Sequence, residues 1–206
     1  MIKENSIILF QGDSITDCDR NKIDHTDLGN GYVNLVNYYI QQHYDNVTCI
    51  NKGISGNRSK DLKRRWKRST MPLEQIDILS ILIGINDTLR RYDTNLFISK
   101  EEFRSNYNYI LDTTKEKFPD VKIVLMSPFL LPTEPKQLEW REDLAPKIEI
   151  VSHLAHEYNA SYIPLQLRFN DKVCIEKPNC YWTKDGVHPS AKGHILIAKE
   201  WIDAII

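Results

Sequence analysis

The 206-residue sequence lacks an excess of charge of either sign, because 27 Lys and Arg residues face 28 Asp and Glu residues and the formal net charge is −1. Binding to nucleic acid or to an anionic membrane surface through bulk charge requires a clear positive excess. We therefore expect neither nucleic acid nor a membrane as a partner. Hydrophobic residues make up 41% of the chain, which is too many for a disordered protein. One domain spanning residues 1–206 is expected.

Long hydrophobic runs are also missing. The longest candidates, such as residues 78–83, have the length of a strand, whereas a span needs roughly 20 apolar residues. Residues 1–10 carry no basic segment, no long apolar stretch and no small-residue cleavage site of the kind found in a signal peptide. We expect a protein without a membrane span that stays unprocessed in the cytoplasm.

The sequence has only four cysteines, and none of them are spaced as a pair. No two of the four cysteines form a C-x-x-C motif, which argues against a zinc knuckle or a dithiol redox site; they are Cys18, Cys49, Cys174 and Cys180. Cys174 and Cys180 are close enough in sequence to bridge, but we expect reduced thiols in a cytoplasmic protein. Nothing beside Cys18 in sequence would lower its pKa, so it is left out of the mechanism.

Short apolar segments alternate with longer amphipathic ones along the whole chain. The predicted strands are residues 6–10, 47–51, 78–83, 121–127 and 161–165, and the predicted helices are residues 31–44, 59–68, 99–118, 138–159 and 190–205. Several strands are apolar at nearly every position, as strands buried on both faces are. This alternation predicts an α/β protein with helices around a five-stranded parallel sheet. The three prolines in residues 128–135 indicate a loop after the fourth strand.

Ligands of open parallel sheets bind at the carboxyl ends of the strands, and polar residues follow the first three predicted strands. The segments are residues 11–17, 51–57 and 84–87, which contain Ser14, Gly56 and Asn86 respectively. Each has an ordinary structural interpretation. Ser14 and Asn86 are common helix-capping residue types, and Gly56 suits a flexible turn. Singly, each signal is weak.

A fourth segment strengthens the case for a catalytic site. Asp185 and His188 occupy one short turn directly before the last predicted helix. A histidine that acts as a base needs an acceptor on its far ring nitrogen, and a carboxylate three residues away can supply it. Without the three preceding segments, a helix-entry turn with a surface histidine would be the better interpretation.

With these four segments in order, the chain resembles the SGNH, or GDSL-type, serine esterases and lipases. The resemblance extends over nearly the whole length. It rests on Gly12-Asp13-Ser14, residues 51–56, Gly84-Ile85-Asn86-Asp87 and residues 185–188. It implies a three-layer α/β/α flavodoxin-like fold with strand order 2-1-3-4-5.

The resemblance also implies the roles of individual residues. Ser14 would be the nucleophile, His188 the base and Asp185 its partner. The backbone N–H groups of Ser14 and Gly56 and the side chain of Asn86 would form the oxyanion hole. Acyl transfer of this kind proceeds through an acyl-enzyme, and it implies no metal, nucleotide or prosthetic group.

Within the family, the chain is most similar to intracellular esterases that deacetylate xylo-oligosaccharides. The similar segments include residues 12–18, 28–33, 51–57, 83–87 and 91–93. An acetylated saccharide is therefore the expected small-molecule substrate. A lipolytic esterase, lysophospholipase or thioesterase of the same fold remains the alternative, and a catalytically silent carbohydrate-binding protein is a further one. Those deacetylases tend to carry a tryptophan directly before the acid, where this chain has Lys184, with Trp182 two places earlier.

Aromatic side chains are candidates for stacking on a sugar. We select Trp66, Tyr92 and Trp182, although core or subunit-interface packing is an equal alternative for each. Aromatic residues outside the expected core are also a weak indication of a homo-oligomer. A metal site built from Asp185, His188 and His194 can be drawn, but it would leave Ser14, Gly56 and Asn86 unexplained.

Overall fold

A parallel five-stranded sheet forms the centre of the protein, for which the computed structural model describes residues 2–206. The strands are β1 (Ile7–Gly12), β2 (Thr48–Asn51), β3 (Ile78–Leu82), β4 (Lys122–Met126) and β5 (Ser161–Ile163). Their order in the sheet is β2-β1-β3-β4-β5, and every neighbouring pair is parallel. The predicted α/β class, strand number and strand order are all confirmed.

Helices cover both faces of the sheet. They are α1 (Ser14–Asp17), α2 (Tyr32–His43), α3 (Ser59–Ser69), α4 (Ile85–Asp93), α5 (Lys100–Lys117), α6 (Trp140–Glu157), α7 (Leu165–Asn170), α8 (Asn179–Trp182) and α9 (Ala191–Ile205), with a 3₁₀ turn at Pro135–Leu138. The sequence pattern missed α1, α4, α7 and α8. These helices have four to nine residues, and so few turns show no clear apolar period.

The core consists of two apolar layers, one on each face of the sheet. Side chains of α2, α9 and the start of α6 pack on one face, and side chains of α3, α5 and the rest of α6 pack on the other. Successive residues of β1 alternate between the layers: Ile8 and Phe10 enter the first and Leu9 the second. Because both faces are covered, the strands are apolar at consecutive positions. Burial of each such side chain typically contributes about 1.5–3 kcal/mol.

Strand β1 extends two residues beyond the predicted end. Gln11 and Gly12 continue the ladder with Ile81 and Leu82 of β3. Gln11 is polar and therefore looks like a turn residue, but it is fully buried. Its side chain donates to Thr70 Oγ1 at 2.7 Å and accepts from Arg65 at 2.7 Å. The strand thus carries the chain directly to Ser14.

The segment after β4 is the loop that its prolines predict, up to the start of the 3₁₀ turn at Pro135. Its apolar residues Phe129, Leu130 and Leu131 are buried in the first core layer. Within residues 2–206, none of the helices combines the length and the apolarity that a bilayer span requires.

Candidate active site

Ser14 lies at the carboxyl end of β1, as the first residue of α1. The Asp13 side chain caps this helix by accepting the Ile15 N–H at 3.0 Å. The Ser14 N–H belongs to the first turn and so has no partner within the helix. A Cβ at Gly12 would stand 2.4 Å from the carbonyl oxygen of Leu82, so only glycine lets the two strands end this close together.

The Ser14 hydroxyl is in contact with the Asp185–His188 turn. Ser14 Oγ lies 2.9 Å from His188 Nε2, and His188 Nδ1 lies 2.7 Å from Asp185 Oδ2. The carboxylate therefore takes the Nδ1–H, which leaves Nε2 free to accept the hydroxyl proton. Burial alone would raise the pKa of Asp185, but hydrogen bonds and the charge of His188 outweigh it, and the pKa is held below its usual value.

Hydrogen bonds to its backbone carbonyls hold the turn that carries His188. Lys184 N donates to the carbonyl of His188 at 2.8 Å, and Gln137 Nε2 donates to the carbonyl of Asp185 at 2.7 Å. Gly186 adopts φ +86°, and a Cβ there would lie 2.6 Å from Gln137 Oε1. Gln137 therefore positions the turn, and no local pattern in the sequence signals this role.

Asn86 contacts Asn57, the residue that follows Gly56. Asn86 is the second residue of α4 and is almost completely buried. Its Nδ2 donates to the carbonyl of Asn57 at 3.1 Å, next to Gly56. Gly56 has φ +78°, and the nearest atom to a Cβ there would be Arg90 Nη2 at 4.0 Å. The Asn86 side chain is thus bonded to the residue that follows Gly56.

Arg65 joins the loops after β1 and β2. Its Nε donates to Asn57 Oδ1 at 2.7 Å and its Nη2 to the carbonyl of Gly12 at 3.2 Å. Burial lowers the pKa of this guanidinium to about 10. A basic helix segment normally indicates a solvated surface. Arg65 is buried instead, because three neighbouring acceptor groups compensate the loss of water around its guanidinium. The sequence alone does not reveal these acceptors.

Asn51 fixes the same pair of loops from the other side. Its Nδ2 donates to the carbonyls of Thr16 and Leu28 at 2.6 and 2.8 Å, and its Oδ1 accepts the Gly53 N–H at 2.9 Å. Ser55 N donates to Asp17 Oδ2 at 3.0 Å. Side chains from β2 and α1 therefore hold the loop that carries Gly56.

Two buried carboxyl groups lie directly behind these polar residues. Burial raises the pKa of Asp13 to about 7, and the described part of the chain offers its Oδ2 no hydrogen-bond partner. Burial also raises the pKa of Asp87, to about 6, although two hydrogen bonds from Ser59 act in the opposite direction. Asp87 ties the start of α3 to the start of α4.

The three aromatic residues proposed to stack on a sugar differ in their burial. Trp66 has no exposed surface and packs in the second core layer with Leu62, one helical turn away, so the prediction that it binds substrate is wrong. Trp182 is 8% exposed and packs against Phe169 in the first core layer, which removes it as well. Tyr92 remains, because it is 37% exposed and lies near His188.

His194 borders the Ser14 hollow, but its ring nitrogens contact neither Ser14 nor His188. Its Nδ1 accepts the Tyr32 N–H at 3.1 Å, and its Nε2 lies 3.4 Å from Cys18 Sγ. Burial, helped by the positive charges of Lys184 and His188, lowers the pKa of His194 to about 4. Among residues 2–206 no three His, Cys, Asp or Glu side chains are grouped to hold a metal ion. All four cysteines are free thiols, and burial raises the pKa of Cys18.

Depressions flank the serine–histidine pair on two sides. On one side is a cleft of about 490 Å³, here called the His188 cleft, lined by Leu89, Tyr92, Glu139, Trp140, Asp185 and His188 among others. On the other side are two overlapping hollows of about 230 and 400 Å³, together called the Ser14 hollow. The Ser14 hollow is lined by polar side chains that include Asp17, Asp19, Arg20, Lys22, Ser55 and Lys184. A cavity of about 530 Å³ beside α6 and α7 contains neither Ser14 nor His188.

Residues 10–196 match the profile of the GDSL-like Lipase/Acylhydrolase family. The curated acetylxylan esterase of Geobacillus stearothermophilus is 35% identical over 207 residues, which cover 96% of this chain and 93% of that enzyme. A crystal structure of an acetylxylan esterase from the same organism aligns with TM-score 0.88 and 32% identity, over 99% of this chain and 95% of that chain.

Further solved structures extend the likeness. Three catalytic mutants of the Geobacillus stearothermophilus esterase, in which a serine, a histidine or an aspartate is replaced by alanine, also align with TM-score 0.88. An α/β hydrolase from the metagenome of Lake Arreo aligns with TM-score 0.87 at 24% identity, over 98% of this chain and 96% of that chain. The last likeness concerns the fold alone.

Proposed function

The chain belongs to the GDSL-like lipase/acylhydrolase family and is a serine-type carboxylic ester hydrolase, and from this premise we propose that it removes acetyl groups from xylo-oligosaccharides. Ser14 is the nucleophile, His188 the general base and acid, and Asp185 the group that orients His188. The continuous contact from Ser14 to His188 to Asp185, at 2.9 and 2.7 Å, is the observation that carries the proposal.

The chemistry proceeds in two halves. Ser14 Oγ attacks the acetyl carbonyl carbon while His188 Nε2 takes the hydroxyl proton, and the carbonyl oxygen becomes an oxyanion. The N–H groups of Ser14 and Gly56 and the Nδ2 group of Asn86 donate to this oxyanion. His188 then protonates the leaving sugar oxygen, and the C–O bond to the sugar breaks. Water attacks the acetyl-enzyme in the second half, with His188 again as base, and acetate leaves.

Preorganisation of the donors supports this assignment. Asn51, Arg65 and the buried Asp87 hold the donor loops before any substrate arrives. Loss of one oxyanion donor typically costs about 3–4 kcal/mol of transition-state stabilisation. Each step uses a side chain or backbone group of this chain, so the proposal assigns no cofactor.

The choice of acyl group rests on the Ser14 hollow. A lipolytic enzyme or a thioesterase for long acyl chains needs an apolar channel beside its nucleophile. The residues around Ser14 are instead largely charged or polar, and Asp17 there pairs with Arg20 and Lys22. An acetyl group needs no such channel. The xylo-oligosaccharide part of the proposal rests on the likeness to acetylxylan esterases.

Acetate release from acetylated xylo-oligosaccharides tests the proposal. The wild-type protein should release acetate, and the Ser14→Ala and His188→Ala variants should each lose nearly all turnover while they keep the wild-type circular dichroism spectrum. Ser105→Ala is the matched control, since Ser105 is exposed on α5. A folded Ser14→Ala variant with wild-type rate would discard the nucleophile. Turnover of simple esters without acetate release from any saccharide would discard the substrate alone.

A further inference from the structure

The His188 cleft is lined in part by the residue that must protonate the departing alcohol. A general acid has to lie within hydrogen-bond distance of the oxygen that it protonates. His188 Nε2 is this acid in the proposed function. His188 and Asp185 form part of the lining of the cleft, and they also border the Ser14 hollow. The volume of about 490 Å³ is large enough for a small saccharide. The leaving group can thus extend from His188 into the cleft.

Apolar side chains form another part of this lining. Tyr92 stacks on Trp140 with ring centres 5.5 Å apart and an angle of 20°. The Tyr92 hydroxyl donates to the carbonyl of Glu139 at 2.9 Å, so the ring is held at two points. Leu89 and Val187 extend the apolar surface. Sugar rings carry C–H groups that pack against such surfaces, and a rigid surface loses little conformational entropy on binding.

The rest of the lining is polar and consists of four carboxylates together with Lys136, Gln137 and His188. Asp93 pairs with Arg90, Glu134 with Lys136 and Asp185 with His188. Within the chain from residue 2 to residue 206, the carboxylate of Glu139 has neither an ion pair nor a side-chain hydrogen bond. It is exposed and lines the same cleft as the paired carboxylates. Glu139 can accept hydrogen bonds from sugar hydroxyls, and its charge repels an anionic ligand.

We propose that the His188 cleft binds the leaving group, and that its apolar wall and the unpaired Glu139 select an uncharged polyhydroxyl alcohol over an anionic one. This inference rests on the proposed function, since it takes the saccharide to be the alcohol of the ester. It also separates that function from action on a phospholipid, whose leaving group or remaining body carries a phosphate.

The charge selection is tested with two acetyl esters that differ in the leaving group, methyl 4-acetoxybenzoate and 4-acetoxybenzoate. Glu139→Gln should raise the ratio of kcat/KM for the anionic ester to that for the neutral ester by about threefold to fivefold at low salt. The gain should shrink in 0.5 M NaCl, because salt screens exposed charges. The use of a ratio cancels the different intrinsic reactivity of the two esters.

Glu142→Gln is the control for this ratio. Glu142 also lies at the start of α6 and is exposed, but it does not line the cleft. The two variants lose the same charge at the same helix end, so any general effect of charge or of the helix dipole is shared. An equal change in both variants, or no change in Glu139→Gln, would overturn the charge selection.

The apolar wall is tested with acetylated xylotriose and with ethyl acetate, whose two-carbon leaving alcohol offers little surface to the wall. Tyr92→Ala should lower the ratio of kcat/KM for the saccharide to that for ethyl acetate by about tenfold, mainly through KM. Tyr38→Ala serves as the control, since Tyr38 is 70% exposed on α2. Lys184→Met probes the Ser14 hollow in the same way.

A fall of the saccharide ratio in Lys184→Met but not in Tyr92→Ala would place the sugar in the Ser14 hollow and overturn the inference. Failure of the proposed function looks different, because the wild-type protein would then not hydrolyse acetylated xylotriose at all. In that case the pair of acetoxybenzoates still tests the cleft. An unchanged Glu139→Gln ratio there would overturn the inference independently.

Discussion

The carboxylate of Asp185 accepts both the ring Nδ1–H of His188, at 2.7 Å, and the backbone N–H of the same residue, at 2.8 Å. It also accepts the Val187 N–H at 3.0 Å. One carboxylate therefore shapes the turn and orients the imidazole that the turn carries. The negative charge that stabilises a protonated imidazole is in place before His188 receives a proton.

Asp185→Asn should lower kcat by about 10³- to 10⁴-fold, because an amide that faces Nδ1 as a donor selects the tautomer with its proton on Nε2. That tautomer cannot accept the Ser14 proton. Asn can keep an acceptor for the backbone N–H groups, so the turn should survive. The check is kcat with p-nitrophenyl acetate together with the thermal midpoint. A near-wild-type kcat in the folded variant would show that Asp185 does not orient the base.

Asn86→Ala should lower kcat by about 10²- to 10³-fold with little change in KM, since the bond to the oxyanion is made chiefly in the transition state. The loss should be the same for acetyl and butyryl esters because the oxyanion is common to both. Asn34→Ala, an exposed substitution on α2, is the control. A rise in KM at unchanged kcat would instead assign Asn86 to substrate binding.

Asp13 makes folding stability depend on pH. Burial raises its pKa to about 7 from an ordinary value of 3.8, so between these two values the folded protein holds a proton that the unfolded chain releases. Stability therefore falls as pH rises through this window, by up to about 4 kcal/mol from this group. Asp13→Asn removes the penalty, and the variant should gain stability over wild type at pH 8.5 relative to pH 5.

Urea denaturation at the two pH values measures this difference. Asp45→Asn is the control, because Asp45 is exposed and its replacement should shift both curves alike. Activity is not the readout, since Asp13 caps the helix that starts with Ser14. If Asp13→Asn and wild type differ by the same amount at pH 5 and pH 8.5, then Asp13 is already ionised below pH 5.

The parallel sheet could be predicted because its strands are buried on both faces. Ile78 and Leu79 enter opposite core layers, so consecutive apolar residues identify β3 without any knowledge of its partners. The position of Ser14 follows from the same argument, since a turn after a central parallel strand lies where ligands bind. Asp185 and His188 are near in sequence, and their contact is local.

Contacts between distant segments could not be predicted in this way. Gln137 bonds to Asp185 across 48 residues, and Arg65 reaches Gly12 across 53 residues. Neither residue differs in type from those on an ordinary exposed helix surface. The prediction that Trp66 binds a sugar is wrong because an aromatic residue suits both a sugar site and a core. Only its packing with Leu62 on the inner face of α3 decides between them.

Acyl-chain length separates a deacetylase from a lipolytic enzyme. The Ser14 hollow contains Asp19, Arg20, Lys22 and Lys184, so added methylene groups displace water from polar side chains and gain little. An apolar channel would instead contribute up to about 0.8 kcal/mol for each buried methylene, or about fourfold in kcat/KM. We expect kcat/KM to fall steeply from acetyl to butyryl to octanoyl p-nitrophenyl esters, measured below micelle-forming concentrations. A preference for octanoyl would discard the carbohydrate deacetylase and leave the serine mechanism in place.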